Sequence, residues 1–189
     1  MKIGILGGSF DPPHFGHLLL ARQTREITGL DEVWCMPYFA HNWDTTVSAA
    51  ADRLAMARLI EEPGITVSDE EVRQKSKSYT IDTVRRLKAK YPREFYWIVG
   101  SDIVGEFDRW KDHEALAREV QFLVFPRNGY PIPSTLPEGF TPVSSPDLVT
   151  SNISSTIIRK RIARGHSVVG LVPENVLAYI VKHTLYDTR

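Results

Sequence analysis

Ile3-Gly4-Ile5-Leu6-Gly7-Gly8-Ser9-Phe10-Asp11-Pro12-Pro13-His14-Phe15-Gly16-His17 is the stretch on which the reading of this 189-residue chain turns. The apolar run Ile3 to Leu6 reads as a strand, Gly7-Gly8 as a tight turn, and the periodic segment Leu18 to Ile27 as a helix that starts at once and ends near Thr28-Gly29. Such a junction suits an anion. Two glycines let backbone approach a ligand without a Cβ in the way, and the N–H groups and positive dipole end of the next helix attract phosphate oxygen. His14 and His17, spaced i and i+3, share one face of that helix start, so both imidazoles can reach one anion. A neutral imidazole donates one hydrogen bond and a protonated one two, which suits a triphosphate whose charge grows during reaction.

Further along, the same alternation repeats. Val33 to Met36 is a second strand stopped by Pro37, Tyr38 to Thr46 a loop without periodicity, and Ala49 to Ile60 a helix ended by Pro63-Gly64. Ile65 to Val67 is a short strand, and the polar segment Ser68 to Lys77 is expected at the surface. Ser78 to Thr83 opens a helix that Pro92 closes; Phe95 to Val99 is a continuous apolar strand, as in a sheet covered on both faces, with Gly100-Ser101-Asp102 as the turn at its end. Glu114 to Arg118 is a short helix and Val120 to Phe125 another buried strand. Six of the twelve prolines fall from Pro126 to Pro146, which predicts an extended surface connection there. Two helices close the chain, Ser154 to Arg164 and Pro173 to Thr184. Alternation of this kind predicts an α/β fold, a doubly wound, mainly parallel sheet. Residues 1–189 are expected to form one domain, with the C-terminal helices of about 154–186 packed on the same core. Ligands of such sheets gather at the carboxyl ends of the strands, where Gly7 to His17 and Gly100 to Asp102 both lie.

Composition narrows the function classes. Lys plus Arg equals Asp plus Glu, 23 against 23, so no global field draws in a nucleic acid or a membrane surface. A single cysteine, Cys35, excludes an intrachain disulfide framework, and its apolar neighbours predict a buried thiol. The apolar run before Gly7 is too short for a secretory signal, and no later run reaches the roughly twenty apolar residues of a membrane span. The expected address is the cytoplasm.

The leading string matches the pattern Gly-x-Phe-Asp-Pro-x-His-x-Gly-His of the nucleotidyltransferase superfamily at every fixed position. Nearly the whole chain resembles the bacterial nicotinate mononucleotide adenylyltransferases within it. Ser78-Tyr79-Thr80-Ile81-Asp82-Thr83, Gly100-Ser101-Asp102 with Trp110 eight residues on, Ser154-Ser155-Thr156-Ile157-Ile158-Arg159, and Leu171-Val172-Pro173 through Tyr179-Ile180 to Leu185-Tyr186 carry the likeness. The resemblance implies a Rossmann-like nucleotidyltransferase fold and an enzyme of NAD biosynthesis. In the implied reaction, the 5′-phosphate of nicotinate mononucleotide attacks the α-phosphorus of ATP, giving deamido-NAD and pyrophosphate. Its catalytic residues would be His14, His17 and Arg159. ATP would be bound by Gly7, Gly8, Ser9, Phe10, Gly100 and Asp102, with Ser155, Thr156 and Arg159 on the β- and γ-phosphates. Thr80, Trp110 and Lys111 would take the mononucleotide, with Trp110 flat on the pyridine ring. Mg²⁺ would come with ATP, and no metal site made of side chains is implied.

Each assignment has a plainer rival: a turn aspartate for Asp102, a core tryptophan for Trp110, an ordinary N-cap for Ser154 to Thr156. Lys160, Arg161 and Arg164 read as a solvated basic face, whereas the hydroxyls before Arg159 favour phosphate there, since guanidinium grips phosphate at two points. One departure stands out. Family members usually carry a Lys in the loop after the second strand; here residues 38–46 hold no Lys or Arg, and His41 or the more distant Arg53 are the candidate substitutes. That loop leaves open a nucleotide-binding sensor with little turnover. Nicotinamide mononucleotide is the other acceptor left open, and a homo-oligomer is open as well.

Overall fold

The protein is described by a computed structural model over residues 1–40 and 48–187. In chain order it runs β1 (Lys2–Gly8), α1 (Phe15–Thr28), β2 (Glu32–Pro37), α2 (Ala50–Arg58), β3 (Ile65–Val67), α3 (Thr80–Lys90), β4 (Glu94–Gly100), α4 (His113–Glu119), β5 (Gln121–Phe125), β6 (Phe140–Pro142), α5 (Ser155–Ala163) and α6 (Glu174–Lys182). Short 3-10 turns cover Val72–Gln74 and Val104–Arg109. The strands form one sheet in the order β3-β2-β1-β4-β5-β6, every ladder parallel. The chain steps outward from β1 to β3 and then crosses back to lay β4 on the other side of β1. Strand order therefore reverses between β1 and β4, the place where ligands of such sheets bind.

Side chains alternate across the sheet with period two, and this sorts the helices. Ile3 and Ile5 of β1, Phe95, Trp97 and Val99 of β4, and Phe122 and Val124 of β5 pack with Ile81, Val84 and Leu87 of α3 and Leu116 of α4. Leu6, Ile98, Leu123 and Phe125 face the other way, against Leu18 and Ala21 of α1, Met56 and Ala57 of α2, Ile158 of α5, and Val176 and Ile180 of α6. The helices of the C-terminal segment thus share a core with α1 and α2. Cys35 is fully buried in it, and that burial pushes its thiol up to about 12.

Several boundaries fall where local chemistry places them. Gly29 caps α1 in the left-handed conformation at φ 65°, its N–H bonded to the Arg25 carbonyl. Ser154 caps α5 by accepting from the Ile157 N–H at 3.3 Å, and Pro173 stands immediately before α6. Two expectations need correction. The proline-rich stretch is not only a connection, because Phe140–Pro142 pairs with β5 as an edge strand, a place where a residue lacking N–H is tolerated. Nor is Ser68 to Lys77 all surface: Glu70 and Glu71 are buried, Glu70 accepting from the Tyr91 hydroxyl at 2.8 Å and Glu71 from the Thr83 hydroxyl at 2.7 Å.

Candidate active site

The carboxyl ends of β1, β4 and β5 open into a cavity of about 400 Å³, within the roughly 300–1,000 Å³ of small-molecule sites. Its wall is built from the Gly7-Gly8-Ser9 turn, His14 and His17 of the α1 start, Thr80 at the start of α3, Gly100 and Asp102 after β4, Trp110, and Ser154 and Ser155 at the start of α5. Four separated stretches singled out in the sequence therefore meet at one space. A wider hollow of about 630 Å³ lies among Met1, Tyr91, Glu94 and Gln121, at the opposite end of the sheet, and takes in none of these residues.

The two imidazoles lie stacked, ring centres 3.7 Å apart. Nδ1 of His17 accepts from the His14 N–H at 3.2 Å, which leaves the His17 proton on Nε2 and makes that nitrogen a donor. Burial, with Arg127 nearby, lowers the His17 pKa to about 3; burial, then His17 and Arg127, drive that of His14 far below the usual histidine range. Both rings are thus neutral in the ligand-free protein. Gly16 permits this packing, because a Cβ there would stand 2.9 Å from His14 Nδ1 and 3.2 Å from the Ile153 carbonyl oxygen.

Asp102 accepts from Arg127 Nη1 at 3.0 Å through Oδ2, while its Oδ1 is buried. Gly100 leaves room for this pair: a Cβ there would sit 2.3 Å from Asp102 Oδ1 and 2.5 Å from Arg127 Cδ, so both side chains would have to move. Ser101 ties the turn to the β5 side, its hydroxyl donating to the Tyr130 carbonyl at 2.5 Å and accepting from the Arg127 N–H at 2.9 Å. Trp110 is half-buried, its ring centre 5.8 Å from that of Phe107 and 6.2 Å from that of Phe122. Of the buried side-chain polar atoms without a hydrogen-bond partner among the described residues, His14 Nδ1, Asp102 Oδ1 and Trp110 Nε1 all belong to residues of this cavity wall. Buried polar atoms are otherwise nearly always paired, so three orphans on residues of one wall favour a polar ligand there.

Other residues fall differently from expectation. The Phe10 side chain is fully buried, at φ 51°, with its ring 4.8 Å from that of His17, so it shapes the turn from below and presents no side chain to a ligand. Thr156 is exposed off the cavity wall, 3.5 Å from Arg159 Nη2. Arg159 is also off the wall, its Nη1 donating to the Asp11 carbonyl at 2.7 Å and standing 3.7 Å from the Asp11 carboxylate. Ser155 lies on the wall, with its hydroxyl donating to the Pro12 carbonyl at 2.8 Å.

Lys111 is a clear correction: it points to solvent, paired with Asp82 at 3.0 Å and lying 4.7 Å over the Tyr79 ring, away from the cavity. Arg53 is another. It is fully buried, and its guanidinium donates to the carbonyls of Ser48 (3.0 Å), Ser9 (2.9 Å), Tyr38 (2.7 Å) and Phe39 (2.8 Å). A side chain so engaged braces the loop backbone and has no reach toward phosphate. His41 lies outside the described residues.

Arg127 is the cation that sequence reasoning missed. It sits on the cavity wall two residues past the end of β5, and its charge contributes to the lowered pKa values of both histidines. A strand end adjoining β4 in the sheet is the signal for it, although a long cation among prolines reads as surface. Glu71 and Ser78 also line the cavity, and burial raises the Glu71 pKa. Among the described residues no three His, Cys, Asp or Glu side chains gather to hold a metal ion, and no helix is long and apolar enough to cross a membrane.

A family model described as cytidylyltransferase-like matches residues 5–161. The probable nicotinate-nucleotide adenylyltransferase of Exiguobacterium sibiricum is 41% identical across 100% of both chains. That of Oceanobacillus iheyensis is 38% identical, with 98% of this chain and 96% of the relative covered. Among solved structures, Plasmodium falciparum nicotinic acid mononucleotide adenylyltransferase complexed with NaAD superposes with a TM-score of 0.85 at 23% identity, covering 100% of this chain and 98% of the other. At that identity the match speaks for the shared Rossmann-like fold.

Proposed function

Because the chain belongs to the cytidylyltransferase-like family and, with full-length relatives at 38–41% identity, to the nicotinate-nucleotide adenylyltransferases within it, we propose that it joins ATP to nicotinate mononucleotide in the cavity between β1 and β4. The observation that carries this assignment of the site is the convergence of Gly7 to Ser9, the histidine pair, Gly100 to Asp102 and the α5 start on that one cavity.

A phosphate oxygen of the mononucleotide attacks the α-phosphorus of ATP; a P–O bond forms, the bond to the bridging oxygen breaks, and pyrophosphate leaves with that electron pair. The attacking phosphate is already an anion, so no protein base is required. What the chain supplies is position and countercharge. His17, a neutral Nε2–H donor, and His14 beside it meet the phosphates over the Gly7-Gly8 turn, where backbone can approach closely. As a triphosphate enters, its negative charge raises the pKa of both rings and strengthens their donation. Arg127 takes up the cationic role left empty by residues 38–40 of the loop, and Asp102, which holds Arg127, offers its Oδ1 to ribose hydroxyls. Arg159 exchanges Asp11 for the outer phosphates. Thr80 and Trp110 bound the acceptor's pyridine. Mg²⁺ bound to ATP would offset phosphate charge, and among the described residues no three His, Cys, Asp or Glu side chains are grouped to hold it apart from the nucleotide.

The test is direct. Purified protein with Mg²⁺ and ATP should release pyrophosphate with nicotinate mononucleotide, and faster than with nicotinamide mononucleotide. ATP binding without product would make the protein a nucleotide sensor, and the opposite preference would reassign the acceptor. His17→Ala should lower kcat about 10²–10³-fold, the loss typical of one donor to a developing oxyanion; an unchanged kcat would remove His17 from the mechanism.

A further inference from the structure

Leu185-Tyr186 is the part of the closing motif that the proposed chemistry leaves without a role. Tyr186 lies beyond α6 at φ 65°, a left-handed conformation that a tyrosine rarely adopts, and its hydroxyl reaches back across the molecule to donate to Asp11 Oδ1 at 2.6 Å. Asp11 is fully buried. Its Oδ2 accepts from the Ser48 N–H at 3.1 Å and stands 3.7 Å from Arg159 Nη1, whose guanidinium also donates to the Asp11 carbonyl. One carboxylate therefore joins the turn after β1, the approach to α2, the guanidinium of α5 and the end of the chain. Burial and the bond to Asp11 both raise the Tyr186 pKa, so the phenol remains a donor through the physiological range.

We infer that Tyr186 is a positioning residue for the triphosphate grip, acting through Asp11 on Arg159. The inference rests on the reading above in which Arg159 leaves Asp11 for the phosphates. Tyr186 and Arg159 share one buried carboxylate. With the hydroxyl in place, part of the charge on Asp11 is satisfied and the guanidinium can be released. Without it, Oδ1 loses its partner, Asp11 leans on the Arg159 guanidinium and the Ser48 N–H that remain, the Asp11–Arg159 pair tightens, and Arg159 is withheld from ATP. Removing a hydrogen bond to a buried charge has a large effect, because the charge must find another partner.

The experiment measures ATP binding in the absence of acceptor, by titration calorimetry, and KM for each substrate. Tyr186→Phe keeps the ring and deletes only the hydroxyl. It should weaken ATP binding about tenfold, the scale of one charged hydrogen bond, while KM for the mononucleotide changes less than about twofold. Tyr179→Phe is the control: its hydroxyl donates from α6 to Asp52 at 2.9 Å without touching Asp11, and ATP affinity should not move. In an Arg159→Ala background, Tyr186→Phe should have no further effect on ATP.

Unchanged ATP affinity in Tyr186→Phe, an equal loss for both substrates, an equal loss in Tyr179→Phe, or a full additional loss without Arg159 would each overturn the inference. A Tyr186→Phe chain that fails to fold would do so too, by making Tyr186 a structural strut. Wild type that binds ATP yet makes no dinucleotide would refute the proposed reaction and leave this test standing. Wild type that binds no ATP would refute both.

Discussion

His14 and His17 are held neutral by the fold, although an unfolded chain would protonate them below about pH 6.5. The folded pKa values are the lower ones, so the unfolded chain binds more protons as pH falls, and stability declines from neutrality down toward the folded value of about 3 for His17. Urea denaturation at pH 7 and pH 5 should show a clear loss for wild type and a smaller one for the His14→Asn/His17→Asn double variant; equal losses would place the acid sensitivity elsewhere. Trp110 is the second residue worth isolating, since it packs on Phe107 and also lines the cavity. Trp110→Ala should raise the mononucleotide KM about tenfold, counting lost stacking plus lost burial, and leave the ATP KM nearly unchanged. An equal rise for both would mark it as core. That His14, His17 and Trp110 would share one cavity wall was legible because their types are rare and their spacing fits the elements that hold them. Arg127 was not, for a long cation in a proline-rich stretch reads as surface until its pairing with Asp102 is seen.

Among the elements, α2 shows most plainly what local pattern hides. By sequence, Arg53 stands in a helix beside Leu54 and Ala57 and reads as a mobile cation near a phosphate loop. In the fold it is fully buried, and four carbonyls from Ser9, Tyr38, Phe39 and Ser48 are what make that burial tolerable. None of those partners lies at helical spacing, so no periodicity could announce them. Arg53→Ala should destabilise the protein by at least about 3 kcal/mol in urea titration, since several buried acceptors lose their donor at once. A loss under ~1 kcal/mol would show that water replaces the guanidinium. Punctuation by Gly29 and Pro173 was readable because it depends on backbone sterics within a few residues. Strand β6 escaped because three residues ending in Pro142 carry too short an alternation to stand out.

At the scale of the molecule, the cavity is assembled from strand ends and helix starts distant in sequence, so a nucleotide seated there bonds to the folded chain and not to the unfolded one. Saturating ATP, at about a hundred times its Kd, should add about 2.7 kcal/mol of stability, visible as a rise in Tm that His17→Ala reduces. No rise would mean that the cavity does not take ATP. The sheet itself was legible from strand–helix alternation, whereas its strand order emerges only from crossovers. Both of its borders are short, three residues each in β3 and β6, and Pro142 lacks an amide hydrogen to offer a neighbour. With so little free backbone along either rim of the described sheet, continuation of the ladder by a second copy is disfavoured, and so is fibrous self-pairing.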